Sequence, residues 1–303
     1  MRYEGVLSLV MRIFYHEFAP STSGYPILGF QSKETRALTV GYIQKTGKQE
    51  TFIPCREHLG ALREDDTFQA TVQSLSLPAV QKILHAHDPY TISTITLLRE
   101  TVACRLSSAL FYAGIKTHYG DCFIGANHVK TATSITTSYA YENTEGLCED
   151  GCWVIADSIA AGRNLIATLH SLLSKYHPKE LIFIVPIGNR WGINEVSKVV
   201  AEHNIKTTFV VWGALFGLNP DNHYDEPWGL LDCEPIDLRD QQTFISMYSP
   251  TLCVGGDFGN DYYCPALAKK LYEKQLADLQ ITPKIPTAAQ IRSVYTSEEI
   301  FTR

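Results

Sequence analysis

Asp157 stands at the mouth of a stretch whose residue types and spacing suit phosphate chemistry. Residues 151–170 read GCWVIADSIAAGRNLIATLH. Cys152–Ala156 is short, apolar and branched, the pattern of a buried strand. Asp157 follows, then the small residues Ser158, Ala160, Ala161 and Gly162, then Leu165, Ile166, Leu169 and Leu172 at helical spacing. A strand, an acid, a small-residue turn and a helix start present backbone N–H groups together, which is how an α/β protein meets a phosphate. An ordinary strand-to-helix junction of a parallel sheet has the same pattern, so on these residues alone both readings stand.

Two further places carry reactive or binding groups. Arg99 and Glu100 close a β-branched run, ISTITLLRE, and residues 256–263 read GDFGNDYY. Glycines flanking an acid let backbone amides approach a ligand closely. No Ser–His–Asp set has the spacing of a nucleophile elbow. The eight cysteines, Cys55, Cys104, Cys122, Cys148, Cys152, Cys233, Cys253 and Cys264, lack zinc-ribbon spacing and read as free thiols of a reducing compartment.

The elements that must position these groups follow from the apolar pattern. From Thr91 onward, strand-like runs end at Arg99, at Gly125 (Ile115–Ile124), at Asp157, at Pro186 (ELIFIVP) and at Trp212 (TTFVVW). Helical patterns lie between them, over Thr101–Ala113, after Gly162 and over Asn194–His203. Strand and helix in alternation imply right-handed crossovers and a parallel twisted sheet flanked by helices. Ligands of such sheets bind at the carboxyl ends of the strands, where Arg99, Asp157 and Gly188 fall. Residues 126–150, polar and rich in Thr, Ser and Asn, read as a long mobile loop or hairpin, and loops of that length often serve as lids.

Before this core, residues 1–90 read as an extension: a β-hairpin over 36–54 turning at Gly47, a candidate arm onto a partner subunit, then helices over 56–88 with Pro78 starting the second. His85 and His87, two apart, read as solvated residues near a helix end. The core spans 91–280, with a Pro- and acid-rich excursion over 217–250 and a helix over Pro265–Leu279. Residues 281–303 read as a tail.

Composition bounds the function. The chain has 303 residues, 45% apolar and 19% charged, enough for a sizeable core. A net charge of −6 leaves no basic surplus for general nucleic-acid binding. The opening MRYEGVLSLVMRIF is interrupted by Glu4 and Arg12 and reads as neither signal peptide nor membrane span. A cytoplasmic protein without membrane contact is expected.

The order of these motifs resembles the type I phosphoribosyltransferases, and the later ones resemble the uracil phosphoribosyltransferase branch. Residues 156–164 resemble the loop that holds phosphoribosyl diphosphate (PRPP), with Ala156 at its first acidic position and Asp157 at its second. Ala161 replaces its threonine, Arg163 a glycine and Asn164 its final hydroxyl residue. TLLRE resembles the pyrophosphate turn, Arg99 keeping the cation while Glu100 and Thr101 replace Ala-Gly. FIGANHVKT resembles a Gly-x-x-Arg-x-x-x-Thr stretch, with Gly125 and Thr131 in register, His128 at the arginine position and Lys130 as an alternative cation. PIGNRWG, with Arg190 and Trp191, resembles the turn after the following strand. GDFGNDYY is the closest match, with Gly256, Asp257, Gly259 and Tyr263 in register; Pro250–Gly255 departs from the uracil-binding Pro-Gly, and Leu215 replaces an acid.

What the resemblance implies is transfer of a phosphoribosyl group from PRPP to uracil or a related heterocycle, a step of pyrimidine salvage that releases pyrophosphate. Asp157, Arg99 and Asp257 would be its catalytic residues. Ser158, Ala160, Ala161, Gly162, Arg163 and Asn164 would hold the phosphate end of PRPP, and His128 or Lys130 its pyrophosphate. Thr251, Leu252, Cys253, Gly255, Gly256, Phe258 and Gly259 would close on the base or the product nucleotide. Magnesium would enter with PRPP, Asp257 facing it, and the family's habit implies a homodimer or larger homo-oligomer. The departures at Ala156, Ala161 and His128 motivate an alternative: a non-catalytic protein of this fold that binds PRPP or a nucleotide for regulation or scaffolding.

Overall fold

The computed structural model describes residues 13–130, 135–218, 225–226, 232–248 and 259–303. Near the start come β1 (Phe14–Phe18), β2 (Ile27–Gln31) and α1 (Lys33–Thr39), then β3 (Gly41–Thr46) and β4 (Gln49–Pro54). The helices α2 (Ala61–Leu75) and α3 (Pro78–Leu84) lead into β5 (Ile92–Leu98), a 3-10 turn over Glu100–Cys104 and α4 (Leu106–Tyr112). The strands β6 (Gly120–Lys130), β7 (Ile135–Asn143) and β8 (Cys152–Ala156) follow. After them alternate α5 (Arg163–Leu173), β9 (Glu180–Val185), α6 (Arg190–Glu202) and β10 (Lys206–Trp212). The chain closes with α7 (Leu238–Tyr248), α8 (Gly259–Tyr263), α9 (Pro265–Asp278) and α10 (Ala288–Val294).

Eight strands form one sheet in the order β1-β2-β10-β9-β8-β5-β6-β7. The pairs from β2 to β6 are parallel, and an antiparallel strand closes each edge. This is the expected α/β class, a mostly parallel sheet flanked by helices.

Strand alternation sorts the apolar side chains onto the two faces. Trp153 and Ile155 of β8 join Leu165, Leu169 and Leu172 of α5 and Val196 and Val200 of α6 on one face, where Phe183 and Phe209 stack at 4.9 Å. Cys152, Val154 and Ala156 face the other side, with Phe68 and Leu75 of α2, Val80 and Leu84 of α3 and Leu106 and Leu110 of α4. A third cluster joins Ile43 and Phe52 of the β3–β4 hairpin to Phe244, Met247, Tyr272, Ile291 and Tyr295. Ile187, Ala214 and Phe216 also belong to it, so it lies past the carboxyl ends of β9 and β10.

Several boundaries differ from the sequence reading. Residues 33–39 are helical rather than the first arm of the hairpin: Ser32 caps α1 in a capping box, and Glu34, Thr35 and Arg36 are buried by tertiary contacts. The hairpin turns at Gly47 (φ 62°), and it is bonded to its own chain, Ile43 N–H donating to Phe301 O at 2.8 Å. The strand expected over 115–124 begins at Gly120. The helix expected over 101–113 starts as a 3-10 turn, separated from α4 by Arg105 in the left-handed region (φ 48°). The loop-or-hairpin stretch is a hairpin, β6 pairing with β7 from Phe123↔Asn143 to Lys130↔Ile135. His87 is hydrogen-bonded rather than simply solvated, its Nε2 lying 3.0 Å from Glu180 Oε2.

Two segments read as peripheral carry buried structure. From the 217–250 excursion, α7 contributes Asp240 and Phe244, both fully buried. From the 281–303 tail, α10 and the residues after it contribute Ile291, Tyr295 and Ile300 to the third cluster. Arg36, 1% exposed, ties these segments together: it donates to Asp240 Oδ1 at 2.8 Å, Asp237 Oδ2 at 3.0 Å and Glu299 O at 2.9 Å. Its guanidinium also lies 4.8 Å from the Tyr295 ring centre.

Candidate functional site

The loop after β8 is shaped by backbone bonds to β9 and the turn beyond it. Asp157 N–H donates to Ile184 O at 3.1 Å, and Ile159 N–H to Ile187 O at 2.8 Å. Asn189, 1% exposed, then braces the loop from the side: its Nδ2 donates to Ala160 O at 2.9 Å and Ile159 O at 3.3 Å. The same side chain caps α6, its Oδ1 accepting from Gly192 N–H at 2.8 Å. Gly192 lets α6 approach, because a Cβ there would lie 1.9 Å from Ala160 O.

The loop then turns into α5 through Gly162 in the left-handed region (φ 69°), a conformation that favours glycine. Among the described residues no side chain caps the start of α5. The first backbone N–H groups of an α-helix lack intrahelical acceptors, and the helix dipole favours an anion there. Asp157 at the strand end and the uncapped helix mouth are therefore presented together, as the sequence pattern predicts. Arg163 and Asn164, the first residues of α5, are half-buried.

The turn after β5 meets this loop directly. Ser158 Oγ donates to Glu100 Oε1 at 2.6 Å. Burial pushes the Glu100 carboxyl up to about 7, with the Ser158 bond opposing and the nearby Asp261 carboxylate adding to the rise. Arg99, one residue earlier and following a cis peptide, is exposed at the rim of the same turn. Thr101 is a structural residue, fully buried and donating to Leu97 O at 2.5 Å.

The end of the glycine–acid motif comes to the same place. Gly259 opens α8, which packs against the Glu100–Cys104 turn and against α2. Asp261 of α8 sits 3.4 Å from Arg63 Nη2, and its carbonyl accepts from Gly60 N–H at 2.7 Å. The Tyr262 hydroxyl and Thr67 Oγ1 are 3.1 Å apart, and Arg63 lies 5.6 Å from the Tyr262 ring centre.

Thr251, Leu252, Cys253, Gly255, Gly256, Asp257 and Phe258 lie outside the described residues. His128 and Lys130 fall on β6, beyond the bulge at Gly125/Ala126, and their backbones pair with Thr137 and Ile135. Arg190 is a tie rather than a pocket residue, its Nη2 bonded to Glu234 Oε2 at 2.7 Å and its Nη1 to Ala19 O at 2.8 Å. Trp191 is 46% exposed. Among the described residues no group of three His, Cys, Asp or Glu side chains is placed to hold a metal ion. Among the same residues no helix is long and apolar enough to cross a membrane.

The sequence reading missed four participants. Glu100 registered only as a departure from a pattern. Asn189 carried a readable signal, an Asn three residues before Gly192 at a helix start. Asp261 with Arg63 carried none, because they meet only through folding.

No known family model matches the chain, and no curated protein matches it by sequence. Solved structures with similar traces include the AQ2163 protein of Aquifex aeolicus, at 13% identity over 56% of this chain and 83% of that one, with a TM-score of 0.41. A hypoxanthine phosphoribosyltransferase from Staphylococcus aureus matches at 17% identity and TM-score 0.31, over 40% of this chain and 63% of its own. Adenine phosphoribosyl transferase from Trypanosoma brucei, in complex with AMP, pyrophosphate and ribose-5-phosphate, matches at 10% identity and TM-score 0.35, over 61% of this chain and 83% of its own. Overlaps this partial bear on neither the substrate nor the reaction.

Proposed function

We propose that the chain transfers a phosphoribosyl group from PRPP to a nitrogen heterocycle, uracil being the acceptor that the motif resemblance implies. The observation that supports this most is the Ser158–Glu100 bond at 2.6 Å. It joins the acid-and-helix-mouth loop to the arginine turn, the two places between which a phosphorylated, diphosphate-bearing sugar would lie.

The roles follow from what the transfer needs. A ribosyl centre of oxocarbenium character forms as pyrophosphate departs, so the site must fix both ends of PRPP and neutralise the leaving group. In this reading the N–H groups at the start of α5 and the Asn164 amide take the 5′-phosphate, and Asp157 the ribose hydroxyls. Arg99, with Lys130 or His128, meets the pyrophosphate, and Thr251–Asp257 meets the base. Magnesium belongs to the substrate here. It binds through phosphate oxygens, waters and one or two carboxylates, and Asp257 is the carboxylate that the resemblance turns toward it.

A second reading, a non-catalytic PRPP or nucleotide binder, is favoured by Ala156 and Ala161. These replace an acid and a hydroxyl where the resembling family uses both. Incubation with PRPP, magnesium and a panel of bases, followed by pyrophosphate release, separates the two. Release with at least one base, reduced tenfold or more by Asp157→Asn, supports transfer. Saturable PRPP binding without release under any base supports the second reading.

A further inference from the structure

The bond between Ser158 and Glu100 sets a carboxyl group against the loop that a phosphate-bearing ligand would approach. Ser158 lies in the loop leading to the start of α5, and Glu100 opens the turn that follows Arg99. Glu100 is partly buried, and its Oε1 accepts from Ser158 Oγ at 2.6 Å. An ionised acid in this place works against an anion site, because it repels the phosphate that the helix start attracts.

Two further acids belong to the same neighbourhood, Asp157 of the Ser158 loop and Asp261 of α8. Burial raises the Glu100 carboxyl, the Ser158 bond opposes, Asp261 adds to the rise and Arg63 of α2 opposes it. Arg63 is committed elsewhere, to Cys55 O at 3.2 Å and to Asp261, 3.4 Å from its Nη2. Burial pushes the Cys104 thiol, in the same turn, up to about 12; the Thr71 bond opposes, and Glu100 and then Asp157 add to the rise. Burial likewise raises the Tyr262 hydroxyl of α8, with Arg63 opposing and Glu100 adding. Arg99 is exposed at the rim, and Arg105, which closes the turn, lies 4.3 Å from the Phe68 ring centre.

We propose that Glu100 meets the phosphates of the substrate as a neutral acid, so that anion binding at this site is linked to a proton. The inference rests on the phosphoribosyl reading and adds a regulation to it. A protonated carboxyl donates through its own O–H, which turns repulsion into a charge-assisted bond to a phosphate oxygen. Burial has already raised this carboxyl to about 7, so the neutral form is accessible before any ligand arrives. An arriving anion raises it further, and by reciprocity the ligand takes up a proton from water and returns it on leaving. Affinity is therefore full below about 7 and declines above it, by at most about tenfold per pH unit for one proton.

The test measures PRPP affinity with magnesium by calorimetry from pH 5.5 to pH 8.5, for the wild-type chain and Glu100→Gln. Titration of the ligand is common to both, so the ratio of the two Kd values is the readout. A ratio near one is expected at pH 5.5, with the wild type binding about tenfold more weakly than the variant at pH 8.5. In a Ser158→Ala background the same decline should begin at higher pH, because the bond that favours the ionised carboxyl is gone. A purely structural role would change the affinity without moving that midpoint. For the wild type alone at pH 8, buffers of different ionisation heat should show net proton uptake on binding. A ratio constant across the range, or no proton uptake, overturns the inference and leaves the phosphoribosyl reading standing. PRPP that binds neither protein at any pH overturns both.

Discussion

Ser158 Oγ and Glu100 Oε1, 58 residues apart in the chain, are joined at 2.6 Å. The bond holds a carboxyl that burial has pushed up to about 7 from an ordinary value of 4.5.

This carries a pH dependence with a defined sign. Between about 4.5 and 7 the folded chain keeps a proton on Glu100 that the unfolded chain has lost. Its contribution to stability is therefore full below the unfolded value and is lost as pH rises through the folded one, in total about 3 kcal/mol. Glu100→Gln should flatten the decline in urea-unfolding free energy between pH 5 and pH 8. Parallel declines in the two proteins would remove Glu100 as the source.

Gly192→Ala should displace the loop after β8 rather than unfold the sheet. The added Cβ would lie 1.9 Å from Ala160 O and 2.9 Å from Ile159 Cγ2, so helix and loop must separate. A shift of about 1 Å in a positioning element can cost roughly a hundredfold in turnover. PRPP affinity measured by calorimetry should fall at least tenfold while far-ultraviolet dichroism is retained.

Arg36→Met should be among the most destabilising single changes outside the hydrophobic core. It takes from Asp240 its cationic partner, leaving the Gln31 amide at 2.7 Å to a carboxyl that burial already raises to about 6 against the attraction of Arg36, while Asp237 keeps Arg239 at 2.7 Å. Removing one partner of a buried ion pair costs about 3–5 kcal/mol. Denaturant titration gives the number, and a loss below about 1 kcal/mol would mean that Asp240 finds another partner.

Asn189→Ala leaves the Ala160 and Ile159 carbonyls without their side-chain donor and α6 without its cap. A cost of about 1–3 kcal/mol is expected. Amide exchange should quicken at Ile159 and Gly192 before it does in β8.

The strands β8 and β9 were legible as continuous apolar runs, which a strand buried on both faces requires, and β5 and β10 through their β-branched and aromatic residues. The helix α1 was not, because KETRALT has no apolar stripe; it is helical through its Ser32 capping box and through burial of polar residues that find partners only in the fold. The start of β6 was misplaced because Gly120–Asp121 carries no strand signal, while β5 fixes it there through the Ser93↔Gly120 register. At the site, the Asp157 loop was readable as a local pattern. The pairings Ser158–Glu100 and Arg63–Asp261 were not, since nothing in either sequence neighbourhood indicates its distant partner.

The Asn189 brace grips carbonyl groups, Ile159 O and Ala160 O, and no side chain of the loop takes part in that grip. Shape and chemistry are thereby held by different residues. Exchange of the half-buried Arg163 or Asn164 for other side chains rewrites what the loop can recognise while leaving its path in place. A lineage carrying this fold is free to drift in ligand at those positions as long as Asn189, Gly162 and Gly192 stay.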